Sequence, residues 1–294
     1  MAIHTRAMLL VFVGAVLLSS SGVLIRLIET ASDWQIVFWR GISFAFGVGV
    51  ILFSHHRGKA FYEIRKVGWP GVVAGILLGG TLIGFVISVR HTTVANALFI
   101  MSAVPLFTAI LARHFLKEPI RAHTMIAILA STGGVGLMVS DGISGGQTYG
   151  NLMALFAAFC TAGFIVQLRR GKLGDMTPSL MIGAVASSLF AAGVLGGDVR
   201  LSMHDFLICM ALGGIIASLS LYLYVLASRN LVGAEFSLLV TLEFILGPLW
   251  VFLVLDETPS SMALLGGCLV LFAVGSHSLV APFVAKIRAN SRPS

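Results

Sequence analysis

The stretch that decides the fold is RHTTVANALFIMSAVPLFTAILARHFLKEP, residues 90–119, read against RNLVGAEFSLLVTLEFILGPLWVFLVLDET, residues 229–258. A single offset of 139 pairs Arg90 with Arg229, Ala95 with Ala234, Ser102 with Thr241 and Glu118 with Glu257. The same offset sets Phe85 against Tyr224, and each stretch has one proline within its apolar run, Pro105 and Pro248. Downstream, MIAILASTGGVGLMVS (125–140) and LLGGCLVLFAVGSHS (264–278) are both rich in small residues and place Gly136 against Gly275. A fixed period of this kind marks an internal repeat. The expected units are residues 1–140 and 149–284, followed by a tail at 285–294.

Each unit contains five apolar runs of a length that crosses a hydrocarbon core as a helix, about 20 residues. The expected spans are 7–28, 34–53, 69–89, 93–115, 122–140, 149–168, 178–196, 204–227, 232–255 and 260–284. Because five is odd, the second unit crosses the membrane in the opposite sense to the first. Inverted repeats of this sort are the plan of many secondary transporters, with the solute site near the midplane where the repeats meet. The fold class is therefore all-α integral membrane, ten helices as 5+5.

Composition agrees. The 294 residues are 57% hydrophobic and only 11% charged, with a mean hydropathy of +0.99, whereas soluble domains carry about 25% charged residues. Orientation follows from where the cations fall. With the N-terminus inside, fifteen lysines and arginines lie in cytoplasmic connectors and three, Arg26, Arg90 and Arg200, lie outside. That asymmetry puts both termini in the cytoplasm. The outer connectors receive Glu29, Asp33, Asp141, Asp198, Asp205, Asp256 and Glu257. A cytoplasmic (inner) membrane is the expected location.

Several other readings fail on the residues. The pI near 9.8 does not indicate nucleic-acid binding, because the basic residues sit in short clusters between apolar runs, where they orient spans. Cys160, Cys209 and Cys268 each lie within an apolar run, which suits packing and makes neither a disulfide framework nor a metal-binding CxxC. The opening MAIHTRAMLLVFVGAVLLSSSG imitates a secretory signal but is read as an uncleaved first span, since the repeat needs that helix. No GxxxxGK[ST] phosphate loop occurs in the chain, and no HExxH, GxSG or aspartate pair occurs within the expected spans. Neither ATP-driven transport nor catalysis is expected, and no cofactor or metal.

The repeat, the ten-span count, the two stretches ending in Glu118 and Glu257, and FWRG at 38–41 together resemble the drug/metabolite transporter superfamily, in its EamA-like branch. That resemblance implies two five-helix bundles around a central cavity. It implies that the third, fourth, eighth and ninth helices, with parts of the first, second, sixth and seventh, line the path. The fifth and tenth would lie at the periphery or at a homodimer contact. It also implies a secondary active transporter, commonly an exporter, of small organic solutes such as amino acids, metabolites or drugs. One departure is visible: SAVPLF in the first half faces TLEFIL in the second, so the two halves do not exchange proline and glutamate symmetrically. The alternative is a non-transporting membrane scaffold or receptor on the same fold.

Ionisable residues inside spans are the sharpest functional markers, since each costs about 2.5 to 3.5 kcal/mol at mid-helix on insertion scales. Two stand out, Arg40 and Glu243. Arg40 lies about 9 Å below the outer end of its helix, at a rise of about 1.5 Å per residue. It is either an anchor snorkelling outward or a cavity cation for anionic groups. Glu243 is mid-helix and too short to snorkel. Alone, it is suited to load and release a proton; opposite Arg40, it becomes half of a fixed pair or gate. Asn96 and Ser102 on the fourth helix, Tyr222 and Tyr224 on the eighth, and Trp39 beside Arg40 complete the expected solute site. Pro105 and Pro248 are the expected flex points. Gly75, Gly79, Gly80 and Gly84 give the third helix two small-xxx-small spacings for close helix contact.

Overall fold

The computed structural model describes residues 2–56, 67–117, 122–144, 146–171, 176–228, 233–256, 258–273 and 275. Among these every regular element is helical: α1 (Ala2–Ser19), α2 (Ser21–Arg26), α3 (Asp33–His56), α4 (Gly68–His91), α5 (Val94–Met101), α6 (Val104–Phe115) and α7 (Ala122–Ser144). They continue with α8 (Thr148–Arg170), α9 (Thr177–Leu195), α10 (Met203–Met210), a π-helical stretch (Ala211–Ala217), α11 (Ser218–Ser228) and α12 (Gly233–Leu255). A last helix, α13, covers Ser261–Ala273. Glu118, Arg229 and Glu257 of the sequence reading lie outside the described residues.

Among the described residues, seven stretches are long and apolar enough to cross a membrane: His4–Arg26, Asp33–Ser54, Gly68–His91, Val94–Phe115, Thr148–Arg170, Thr177–Leu195 and Met203–Ala227. Shorter apolar stretches, Met125–Met138, Leu242–Leu255 and Ser261–Ala273, lie in α7, α12 and α13. The outward faces carry large apolar side chains such as Phe46, Leu189, Phe190, Leu253 and Phe272. In water so broad an apolar surface is an aggregation liability; against lipid it is the expected solvent-facing side. The molecule is a multi-pass membrane protein.

Three spans are not regular α-helices throughout, and each irregularity has a local cause. In the first, Ser19 and Ser20 turn their hydroxyls back onto the carbonyls of Val16 and Leu17, both at 2.7 Å. Such back-bonding competes with the helical ladder and bends it. In the fourth, Pro105 falls in the first turn of α6. Proline has no N–H to give the carbonyl four residues back, and the chain tightens there to three-residue bonds, Ala103 N to Ile100 O and Leu106 N to Ala103 O. Pro248, by contrast, sits inside the continuous α12. The third irregularity is the π stretch in the eighth span, a form that often marks functional sites.

Packing between apolar helices in lipid rests on close contact more than on the hydrophobic effect. The glycines of α4 supply two such faces. Gly75 and Gly79 meet Ser179, Ile182 and Gly183 of α9, while Gly80 and Gly84 meet Met153, Phe156, Ala157 and Cys160 of α8. A side chain at any of the four would push a neighbour away. Around these contacts, Phe44, Val48 and Leu52 of α3 pack with Leu78 and Leu82 of α4 and with Leu180 and Ala184 of α9. Ala7, Val11 and Ala15 of α1 pack with Tyr224 and Ala227 of α11.

Among the described residues, α4 packs on α8 and α11 on α1; α4 packs on α9 and the π stretch on α3; α5 and α6 pack on α8 and α12 on α1. α3 also packs on α9, and α5 on α12.

Candidate functional site

Arg40 is the eighth residue of α3 and is buried, only 5% exposed. Its backbone is held tightly. The Ser43 hydroxyl is shared between the Arg40 carbonyl at 2.9 Å and the Cys209 carbonyl of α10 at 2.8 Å. Gly213 of the π stretch lies against the Arg40 carbonyl with no room for a Cβ. The side chain extends inward over the Phe85 ring of α4, 5.6 Å from the guanidinium carbon to the ring centroid, a cation–π contact. Its Nε and Nη1 are enclosed and have no hydrogen-bond partner among the described residues.

Glu243 lies midway along α12, partly buried, and accepts one long hydrogen bond, 3.4 Å, from the Tyr224 hydroxyl of α11. Arg40 and Glu243 feel one another's charge, but the hydrogen bonds and ion pairs of the described residues include none that joins them directly. The interior thus holds a basic and an acidic side chain, Arg40 over the Phe85 ring and Glu243 at the Tyr224 hydroxyl. The two rings, Phe85 and Tyr224, are the residues that the repeat offset pairs.

The remaining expected residues are distributed elsewhere. Trp39 gives its indole N–H to the Val199 carbonyl at 2.8 Å and stacks edge-on with Phe206 at 5.0 Å, so it ties α3 to the outer connector. Ser102 is buried at the break between α5 and α6, its hydroxyl on the Phe99 carbonyl at 2.6 Å. Tyr222 is half-buried on α11. Asn96 belongs to an outer polar network: its amide donates to Thr92 Oγ1 at 3.4 Å and Gln147 Oε1 at 3.3 Å, and Thr92 bonds Asn151 at 2.7 Å. Gly150 of α8 brings the helix directly against the His91–Thr92 backbone there.

Two features of the end of the bundle that holds the connectors at 27–32 and 196–202, the outer end on the expected orientation, are invisible in the sequence reading. Asp205, counted there only as an outer acid, is fully buried. Its carboxylate accepts from the backbone N–H groups of Glu29, Thr30 and Ala31 at 3.0 to 3.1 Å and from the Thr30 hydroxyl. The Ser202-x-x-Asp205 spacing at the start of α10 was the available signal, since Ser202 caps that helix by accepting from Asp205 N at 3.1 Å. The second is Asp33, which holds Arg90 at 3.3 Å and His91 at 2.6 Å. Arg90 also donates to the carbonyls of Ile28 and Ala31.

Two clefts open near the ends of the fourth span. One, of about 420 Å³, is lined by Arg26, Arg90, His91, Thr92, Thr93, Gln147 and Leu255. The other, of about 570 Å³, is lined by Ile110, Arg113, His114 and Lys117. Neither is lined by Arg40, Phe85, Tyr224 or Glu243.

Residues 5–140, which contain Arg40 and Phe85, match the model of the EamA-like transporter family. This stretch is thus similar to that family, which is part of the drug/metabolite transporter superfamily. No curated protein matches the chain significantly. Among solved structures, one titled only as the crystal structure of a protein matches with a TM-score of 0.68 at 18% identity, covering 95% of this chain and 98% of its own. At that identity the likeness is one of fold, and it extends over both halves.

Proposed function

We propose that the protein is a secondary active transporter that moves small organic solutes across a cytoplasmic membrane by alternating access, in the export direction, with Glu243 as the proton-coupling group. The ten-crossing reading goes with it: α7, α12 and α13 join the seven long stretches as two inverted units of five, 1–140 and 149–284, with both termini in the cytoplasm.

The observation that carries the reading is the pairing of helix contacts. On the ten-crossing reading, exchanging first span for sixth, second for seventh, third for eighth and fourth for ninth turns α4 with α8 into α11 with α1, α4 with α9 into the π stretch with α3, and α5 and α6 with α8 into α12 with α1. Second with seventh, and fourth with ninth, map onto themselves. Two units related in this way can rock about a fixed central site, so that one end opens as the other closes. Clefts at both ends of the fourth span, with the charges of Arg40 and Glu243 outside either cleft, support the same cycle. Glu243 is suited to proton coupling because a single long hydrogen bond leaves its carboxylate able to take up a proton, the property expected of intramembrane acids in carriers. Pro105 and Pro248 serve as flex points, and Asn96, Ser102, Tyr222 and Trp39 line the route.

Counterflow tests the reading. Purified protein in liposomes preloaded with a mixed metabolite pool is expected to accumulate labelled solute from outside, and more so when a proton gradient is imposed. Failure of every solute in the pool to exchange would contradict a carrier and favour a receptor on the same fold.

A further inference from the structure

The unsatisfied guanidinium of Arg40 identifies the chemistry of what binds beside it. Arginine has two edges that accept a two-oxygen anion, Nε with Nη2 and Nη1 with Nη2. Each edge contains one nitrogen, Nε or Nη1, that is enclosed and unpartnered. A buried charged donor without an acceptor is costly; Arg90, by contrast, spends its donors on Asp33 and on two carbonyls. Three elements bracket Arg40 without supplying an acceptor. Ser43, one turn along α3, has its hydroxyl committed to two carbonyls. Phe85 occupies a face of the guanidinium and offers only its ring. Glu243 makes no ion pair with it among the described residues and instead accepts a hydrogen bond from the Tyr224 hydroxyl.

With a face covered by the ring, the directions left for strong hydrogen bonds lie in the guanidinium plane. A planar group with two oxygens and a negative charge matches that fork in shape and charge, whereas a single carbonyl meets only one of the donors. We infer that the transported solute carries a carboxylate and that Arg40 binds it in the plane of the guanidinium, with Phe85 holding the fork in position from one face. The inference rests on the carrier reading for calling the ligand a transported solute; the binding chemistry stands on Arg40 alone.

The test is equilibrium binding to the full-length protein in lipid nanodiscs at one neutral pH. Phenylacetate, phenylalanine and succinate are each compared with their amides, and phenylphosphonate with phenylacetate. At least one acid is expected to bind tenfold or more tightly than its amide and more tightly than the phosphonate. Arg40→Gln is expected to reduce that acid to the affinity of the amide while the protein stays monodisperse. Equal binding of acids and amides, no binding of any acid, or a preference that survives Arg40→Gln overturns the inference. So does tighter binding of the phosphonate, which assigns the site to phosphate groups. The wild-type comparison decides even if the variant misfolds. The two readings also fail separately. Acid binding without counterflow removes the carrier and leaves the carboxylate site, while counterflow of neutral solutes without acid preference removes the carboxylate site alone.

Discussion

The outer end and the interior of this bundle each hold an acid and an arginine, and they treat them in opposite ways. At the outer end, Asp205 takes four donors from the connector at 29–31, and Arg90 bonds Asp33 and two carbonyls. In the interior, Glu243 has one hydrogen bond at 3.4 Å, and Arg40 leaves Nε and Nη1 without acceptors. Buried polar groups are nearly always satisfied, and those that are not call for an explanation. The outer set is a clasp that holds the ends of spans together. The interior set is kept incomplete, as a site must be if a solute or a proton is to complete it.

Substitutions separate the two. The largest expected effect is Asp205→Ala, which strips the acceptor from four donors and should cost on the order of 3 kcal/mol, given about 1.5 to 3 kcal/mol for a bond to a charged group and imperfect additivity. Thermal unfolding in detergent reads it as a drop of several degrees in Tm; an unchanged Tm breaks the contrast. Next comes Arg40→Gln, for which the sign is reversed. Removing a buried charge that no acceptor satisfies should leave Tm at or above the wild-type value, since such a charge stabilises little. A fall as large as that of Asp205→Ala would make Arg40 structural. The smallest is Tyr224→Phe. A hydrogen bond as long as 3.4 Å contributes about 0.5 to 1 kcal/mol at most, so driven flux should change by about two- to fivefold, measured in proteoliposomes.

What the sequence made legible follows from range. Apolar runs, the offset of 139 and the cation asymmetry are properties of the chain itself, and the helices fall where those patterns lie. The break in the fourth span was signalled by Pro105, whose missing N–H acts locally. The first-span bend at Ser19 and Ser20 and the π stretch had weaker signals, because serine and glycine also serve as ordinary packing residues. Arg40 and Glu243 stood out by their cost in an apolar run, but their relation to one another depends on how α3 and α12 sit in the bundle. Neither Phe85 beneath Arg40 nor Asp205 on a connector more than 170 residues earlier in the chain can be read from local pattern. The same holds for Trp39, adjacent to Arg40 in sequence yet committed to Val199 at the outer rim.

The most direct test of the account is solute flux through Glu243→Gln in proteoliposomes, measured with and without an imposed proton gradient beside the wild type. With glutamine unable to carry a proton, accumulation driven by the gradient should be lost while solute exchange without a gradient persists. Gradient-driven accumulation at the wild-type rate would contradict Glu243 as the coupling group.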